Sequence, residues 1–225
     1  MGGRWGTAGA LTLTLLALGS VLLELAFRPN PLRWALPKGE SQNVWARVVP
    51  REEVQEEVVL LAHLDTHRTP VVFSSRAWVR LYKMLIPAGV VSVLVLTGLL
   101  TADLIAPWPL WKTLSLVPTA AVAGVVVLTT QAELSPYTVG ANDNASGVGV
   151  VLSLARRLAE QPLDRTAVWA VLTGCEEVGC YGAEAFAEGH ANELDCPVWM
   201  AVDNVGGADA DPTWVTRELF FLPVK

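Results

Sequence analysis

Val58-Val59-Leu60-Leu61-Ala62-His63-Leu64-Asp65 is the stretch from which the rest of the chain is read. Its five leading apolar residues form an unbroken run, as expected of a strand buried on both faces of a parallel sheet. It then ends in an imidazole and a carboxylate two residues apart. Residues at that spacing on an extended chain point the same way. Asp65 can therefore accept a hydrogen bond from one ring nitrogen of His63, fixing the tautomer and leaving the other nitrogen for a metal. The triplet also reads as a plain polar strand end, and His67 just beyond it as part of the same end.

Two more strands are expected, over residues 167–172 and 198–202. Before the first of these, residues 146–158 place Val151, Leu154, Ala155 and Leu158 at helical spacing, with Arg156 and Arg157 off that stripe. Another helix is expected to start near Tyr181. This alternation is that of an α/β domain, and each of the three strands is followed within a few residues by acidic or imidazole side chains. In open α/β sheets, sites form at the carboxyl ends of strands.

Three such groups follow in the sequence. Gly140-Ala141-Asn142-Asp143-Asn144-Ala145-Ser146-Gly147 is a turn-rich loop leading into a helix, where small residues let the backbone approach an ion and the helix dipole stabilises an Asp. It reads equally as a helix cap. Cys175-Glu176-Glu177-Val178-Gly179 sets two carboxylates side by side, each raising the other's pKa unless a cation or a shared proton relieves them. Adjacent side chains diverge, so one can face a metal while its neighbour faces the attacking water as a general base. The competing reading is an exposed acidic loop. Asp203-Asn204 closes the third strand with a charge that wants either solvent or an ion.

Hydrophobic residues make up 52% of the 225-residue chain and charged ones 17%. That is more apolar than an average soluble domain, at roughly 45–50%. Residues 8–23, 84–102 and 113–132 are long and lack charge, and the second and third, of 19 and 20 residues, match a hydrocarbon core of about 30 Å. Trp108 and Trp111 lie in the short proline-containing link between those two, so residues 84–132 read as an inserted transmembrane hairpin whose outer ends emerge on one side. The first stretch, continued over residues 8–27, reads as a retained anchor rather than a cleaved signal peptide. No A-x-A cleavage site follows it, and Arg28 and Arg33 do. Arg28, Arg33, Lys38, Arg47, Arg51, Arg68, Arg76, Arg80 and Lys83 stand against Arg4 and Lys112 on the other side. The positive-inside rule therefore puts residues 28–83 and everything after residue 132 in the cytoplasm of a multi-pass membrane protein, in contact with lipid.

The net charge of -6 excludes a broad basic surface for nucleic acid. Cys175, Cys180 and Cys196 lack the paired spacing of a zinc ribbon or disulfide framework, and read as free thiols in a reducing compartment.

Taken in order, H-x-D, N-D-N-A-S-G opening a helix, E-E-V-G and D-N, all near strand ends, resemble the pattern of metallopeptidase family twenty-eight. That family includes bacterial leucyl-type aminopeptidases and glutamate carboxypeptidase. The resemblance covers residues 43–207, with residues 43–47 similar to the segment that leads to the first ligand strand. It implies a three-layer α/β/α sandwich with a mostly parallel mixed sheet, in residues 40–83 and 133–225, interrupted by the hairpin. It further implies two zinc ions and a peptide substrate. His63 and Asp203 would hold one ion, Asp143 would bridge it to a second, and Glu177 would hold that second ion. Glu176 would be the general base, and Asp65 would orient His63.

Two departures qualify the resemblance. About 80 residues, the hairpin among them, separate His63 from Asp143 where soluble members have a short connection, which would set the site close to the membrane surface. The family also supplies a last His on the Glu177 metal, downstream of the position matching Asp203. No His follows His190 here, so the expectation is a shortened chain with an incomplete site. The leading reading is a membrane-bound zinc exopeptidase, an aminopeptidase, in a chain lacking the last His ligand; the others are an inactive peptidase-like membrane scaffold and a glutaminyl cyclase-like acyltransferase that needs one metal. Substrate specificity and oligomeric state leave no mark in the sequence.

Overall fold

The computed structural model describes residues 3–26, 28–208, 211 and 213–215. Phe27, at the end of the expected anchor, and residues 209, 210, 212 and 216–225 of the expected peptidase domain lie outside the described residues. The chain forms two compact units. One holds the described residues up to 38 together with 69–136 and Val215, the other residues 39–68 with the described residues of 137–214.

The second unit is built on a four-stranded sheet, in the order β1 (Val44–Val48), β3 (Thr166–Thr173), β2 (Glu56–His63), β4 (Val198–Ala201). β2 is central and pairs in parallel with β3, from Glu56 opposite Thr166 to His63 opposite Thr173. On its other side it pairs in parallel with β4, and the Val202 N–H donates to the Leu61 carbonyl at 2.8 Å, carrying the ladder one residue further. β1 is antiparallel to β3 at one edge. The sequence reading takes residues 43–47 only as a lead-in. Its pattern is weak because edge position leaves Val44, Trp45 and Arg47 exposed, a charge-bearing edge of the kind that discourages further pairing.

Alternation along the two central strands sorts their side chains into two layers. Leu60, Ala62, Val168 and Ala170 pack with Val151 of α4 (Ala145–Glu160) on one face, and Val59, Trp169 and Val171 pack with Phe186 of α5 (Tyr181–Gly189) on the other. Helices on both faces of a mostly parallel mixed sheet give the expected three-layer α/β/α sandwich. Val59 and Val171 are fully buried, and each such side chain contributes roughly 1.5–3 kcal/mol.

The α5 face is aromatic. The Trp169 ring lies 5.3 Å from Trp45, 6.0 Å from Phe186 and 5.3 Å from His190. His190 is thereby part of this packing, with its Nδ1 2.9 Å from Glu193 Oε1. At the N–H edge of the same ring lies the buried carboxylate of Glu57. It accepts from the Trp169 indole N–H at 3.2 Å, from Arg47 at 3.0 Å and from the Asp195 N–H at 3.0 Å. Burial raises its pKa, but the Asp195 N–H, the indole and Arg47 together outweigh that and hold it below the ordinary carboxylate value.

The other unit contains three helices long and apolar enough to cross a membrane: α1 (Arg4–Leu25), α2 (Arg76–Ile105) and α3 (Pro109–Leu134). At about 1.5 Å per residue, the 22 residues of α1 already exceed a hydrocarbon core of about 30 Å. α2 runs past the apolar stretch at both ends, taking in Arg76, Arg80 and Lys83 at its start and Asp103 at its finish. Asp103 is buried. It accepts from the Thr7 hydroxyl at 2.8 Å, and Lys112 Nζ stands 3.9 Å from the same oxygen, so the near ends of all three helices meet at one carboxylate.

Candidate metal centre

The carboxyl ends of β2, β3 and β4 open on the same edge of the sheet, and the ionisable groups singled out in the sequence collect there. His63, the last residue of β2, is buried. Its Nδ1 lies 3.0 Å from the Asp65 carbonyl oxygen, and the Asp65 carboxylate is further away, at 3.7 Å. The orienting contact is thus made by the Asp65 main chain rather than by its side chain. The carboxylate is engaged elsewhere, accepting from the Glu176 and Glu177 N–H groups at 3.1 Å each. Cys175, with φ at 56°, turns the chain after β3 so that two successive N–H groups can face one acceptor.

A second tie holds the loop that carries Asp143. Asn144 is buried and caps α4, its Oδ1 accepting from the Gly147 N–H at 3.0 Å, while its Nδ2 donates to the Val202 carbonyl at 2.9 Å. Asn142 accepts from the Gly206 N–H at 2.8 Å and donates to Asn204 Oδ1 at 3.0 Å. The two asparagines bind the start of α4 to the loop after β4, which brings Asp143 and Asp203 to the same place. Gly147 is required at this crossing, because a Cβ there would collide with the Val202 carbonyl. Asn43 does similar work one loop away, accepting from the Gly174 N–H at 3.2 Å and donating to the Gly182 carbonyl at 2.7 Å.

The side chains held this way converge on His63 Nε2. Asp143 Oδ1 is 3.1 Å from it, Asp203 Oδ1 3.4 Å and Glu176 Oε2 3.9 Å. One donor atom each from His63, Asp143 and Glu177 lie within 4.8 Å of one another. On the far side of Asp143, its Oδ2 is 3.7 Å from His67 Nε2. Two of these atoms, His63 Nε2 and Glu177 Oε1, are buried without a hydrogen-bond partner.

Residues 117–218 match peptidase family M28. Aminopeptidase YwaD of Bacillus subtilis (strain 168) is 35% identical over 71 residues, which are 32% of this chain and 15% of that protein. Over that region the chain is similar to peptidase family M28, and it spans a small part of the length of this relative. The matched region carries Asp143, Glu176, Glu177 and Asp203, and leaves out His63 and Asp65. No solved structure matches.

The likeness raises the question of whether these residues suit a metal. Burial, with the charges of Asp143 and Glu176, pushes the Glu177 carboxyl above its ordinary value, while His67 and His63 pull it part of the way back. Burial lowers the His63 pKa, but Glu176, the Asp65 carbonyl, Asp203 and Asp143 together raise it above the ordinary value. For Glu177 burial is the largest cause and the neighbouring carboxylates add to it; for His63 the carboxylates and the Asp65 carbonyl outweigh burial. Ligands at about 2.0–2.2 Å around a tetrahedral ion stand about 3.4 Å apart, close to the separations of Asp143 and Asp203 from His63 Nε2. The mixed nitrogen and oxygen donors, the unpartnered atoms and these spacings all fit a divalent cation.

The sequence singles out His63, Asp65, Asp143, Glu176, Glu177 and Asp203, and the fold brings all six to this edge. It does not single out the ties made by Asn43, Asn142 and Asn144. Asn-Asp-Asn ahead of a helix was the available signal for two of them. Nor does it give His67 a partner, which emerges only when the loop of residues 137–144 folds back beside it.

Proposed function

We propose that this chain forms the metal-binding part of a membrane-held zinc exopeptidase that acts as an aminopeptidase. The observation that carries the reading is the pair of unpartnered buried atoms, His63 Nε2 and Glu177 Oε1, in two residues that bring donor atoms within 4.8 Å of each other and of Asp143. His63 and Asp203 would hold one zinc, Glu177 a second, and Asp143 would offer one oxygen to each. Zinc held there supplies Lewis-acid polarisation of the scissile carbonyl and an ionised nucleophile at neutral pH.

The remaining work falls to the chain's own groups. Glu176 lies at the open rim, with its side chain 39% exposed and Oε2 3.9 Å from His63 Nε2. A carboxylate so placed takes a proton from the attacking water and returns it to the leaving amine. Asp65 fixes the Glu176–Glu177 backbone through its carboxylate and the His63 ring through its carbonyl. Buried His63 is thus held in one tautomer with Nε2 facing the carboxylates.

Metal analysis and hydrolysis of aminoacyl-p-nitroanilides by the detergent-purified protein test this reading. About two zinc ions per chain are expected. Glu176→Gln should keep the zinc and lose about 10²–10⁴-fold in kcat. A protein that takes up no zinc would sink the proposal, and one that keeps full activity as Glu176→Gln would remove Glu176 as the base. We place this unit in the cytoplasm on the Lys and Arg count. The exposed thiols of Cys180 and Cys196 provide the check, because a membrane-impermeant reagent added outside intact cells should leave both unlabelled.

A further inference from the structure

We propose that the start of α2 is a binding site for an anionic phospholipid, whose headgroup phosphate sits between the guanidinium groups of Arg76 and Arg80. This rests on α2 as a membrane-crossing helix and asks nothing of the metal centre. Ser75 caps the helix, its Oγ accepting from the Trp78 N–H at 3.3 Å. Arg76, Arg80 and Lys83 then follow at steps of four and three residues, so all three lie on one face. Like charges at that spacing repel, and no acidic residue stands in the first turn to offset them. Elsewhere arginines are paired: Arg33, Arg47, Arg51, Arg156 and Arg165 each meet a carboxylate. Among the described residues, no carboxylate pairs with Arg76 or Arg80. Arg80 Nε donates to the Arg76 carbonyl at 3.4 Å, which leaves its terminal nitrogens for another acceptor.

Arg76 and Arg80 line an open cleft of about 430 Å³ together with Phe73, Ser75 and Val79. Sites for small molecules span about 300–1,000 Å³. The lining offers two chemistries. Planar guanidinium groups suit bidentate bonds to phosphate oxygens, while Phe73, 56% exposed, and Val79 form an apolar wall. Free phosphate has no use for such a wall, but the first carbons of an acyl chain do. Depth favours lipid as well. The charge-free stretch of α2 begins at Met84, and at about 1.5 Å per residue Arg80 stands about 6 Å and Arg76 about 12 Å before it. The headgroup layer is about 5–8 Å thick on each side of the hydrocarbon core. Arginine stems lie along apolar surface while their heads seek the polar layer, so both guanidinium groups can meet a phosphate at that level. Anionic lipid also gives the cytoplasmic leaflet its negative potential, and the Lys and Arg count puts these residues on that side. The competing arrangement is a pair of solvated arginines that only orient the helix.

The test is lipid binding by the full chain, read without reference to activity. Detergent-purified wild type, Arg76→Lys/Arg80→Lys and Lys83→Gln are titrated with phosphatidylglycerol, with phosphatidylcholine and with soluble glycerophosphate. Bound molecules are counted by native mass spectrometry, and folding is followed by circular dichroism. The site predicts that wild type retains phosphatidylglycerol in preference to phosphatidylcholine, and that glycerophosphate does not displace it. Arg76→Lys/Arg80→Lys keeps every charge but loses the bidentate geometry, and should bind phosphatidylglycerol at least about tenfold more weakly. Lys83→Gln removes a charge from the same face but not from the cleft, and should lose no more than the roughly fivefold of general surface attraction. Wild-type affinity in Arg76→Lys/Arg80→Lys, or no preference for phosphatidylglycerol in wild type, would overturn the inference in favour of solvated arginines. Displacement by glycerophosphate would overturn it in favour of a site for free phosphate. A chain that alkaline carbonate strips from membranes would overturn the membrane-crossing reading of α2 along with it, whereas all the other outcomes leave that reading standing.

Discussion

The central strand β2 carries a buried ionisable group near each end, and the two are treated in opposite ways. At its start, Glu57 is given three donors, from Arg47, the Trp169 indole and the Asp195 N–H, and its pKa falls below the ordinary value. At its finish, His63 and the neighbouring Glu177 are crowded by carboxylates, keep unpartnered atoms, and have raised pKa values. Folding alone satisfies the first cluster. The second is left short of positive charge, as a site is when a bound ion completes it. Which buried charges serve the fold and which serve chemistry can therefore be told apart by perturbing each end in turn.

Glu57→Gln should show the largest change in stability. Removing one partner of a buried pair leaves the other groups uncompensated and costs about 3 kcal/mol, which in a chain of this size lowers Tm by roughly 6–12 °C. Zinc content should not change. The pH dependence has a definite sign. The folded pKa of Glu57 is depressed, so its contribution is fully present above the unfolded carboxylate value of about 4.3. It is lost as pH falls from there through the lower folded value. Thermal melts across this acid range should therefore converge for wild type and Glu57→Gln. A constant gap between them would mean that the charge of Glu57 is not what stabilises the fold.

Asn144→Ala probes what holds the other end in place. It touches no ligand, but it removes the α4 cap and the bond to the Val202 carbonyl. The cap is worth about 1 kcal/mol, and slackening the support of metal ligands costs about tenfold in affinity. Zinc titration should show that loss for both ions, since Asp143 is common to both. Unchanged zinc affinity together with a lowered Tm would reduce Asn144 to a helix cap.

The difference between the two ends of β2 also explains what could be read from the sequence. The apolar run of residues 58–62 and the strands after it are long and continuous, so the central strands and the two helix layers were legible. β1 was not, because an edge strand with Trp45 and Arg47 exposed carries no such run. Asp143, Glu176, Glu177 and Asp203 were legible as ionisable groups following strands. Their supports were not, because Asn43, Asn142 and Asn144 act across 58 to 139 residues of sequence. Asp65 shows the limit within a motif: H-x-D placed it beside His63, yet whether its carbonyl or its carboxylate makes the contact depends on a loop more than 100 residues away. Glu57 drew no attention at all, since a Glu at the start of a strand looks exposed until Trp169 and Asp195 close over it.

The smallest effect is the most discriminating, because its sign is reversed. In metal-free protein, the raised pKa of Glu177 means that ionising it costs stability. Folded chains are favoured below the unfolded carboxylate value of about 4.3, and that advantage is lost as pH rises through the higher folded value. Glu177→Gln abolishes the cost, so at neutral pH the metal-free variant should melt slightly higher than metal-free wild type, opposite to Glu57→Gln. Added zinc should reverse the order, because bound metal stabilises the folded wild type by mass action and the variant has lost a ligand. If Glu177→Gln lowers Tm in the absence of metal, Glu177 belongs with Glu57 among the groups that hold the fold, and the unpartnered Oε1 is not a vacancy waiting for an ion.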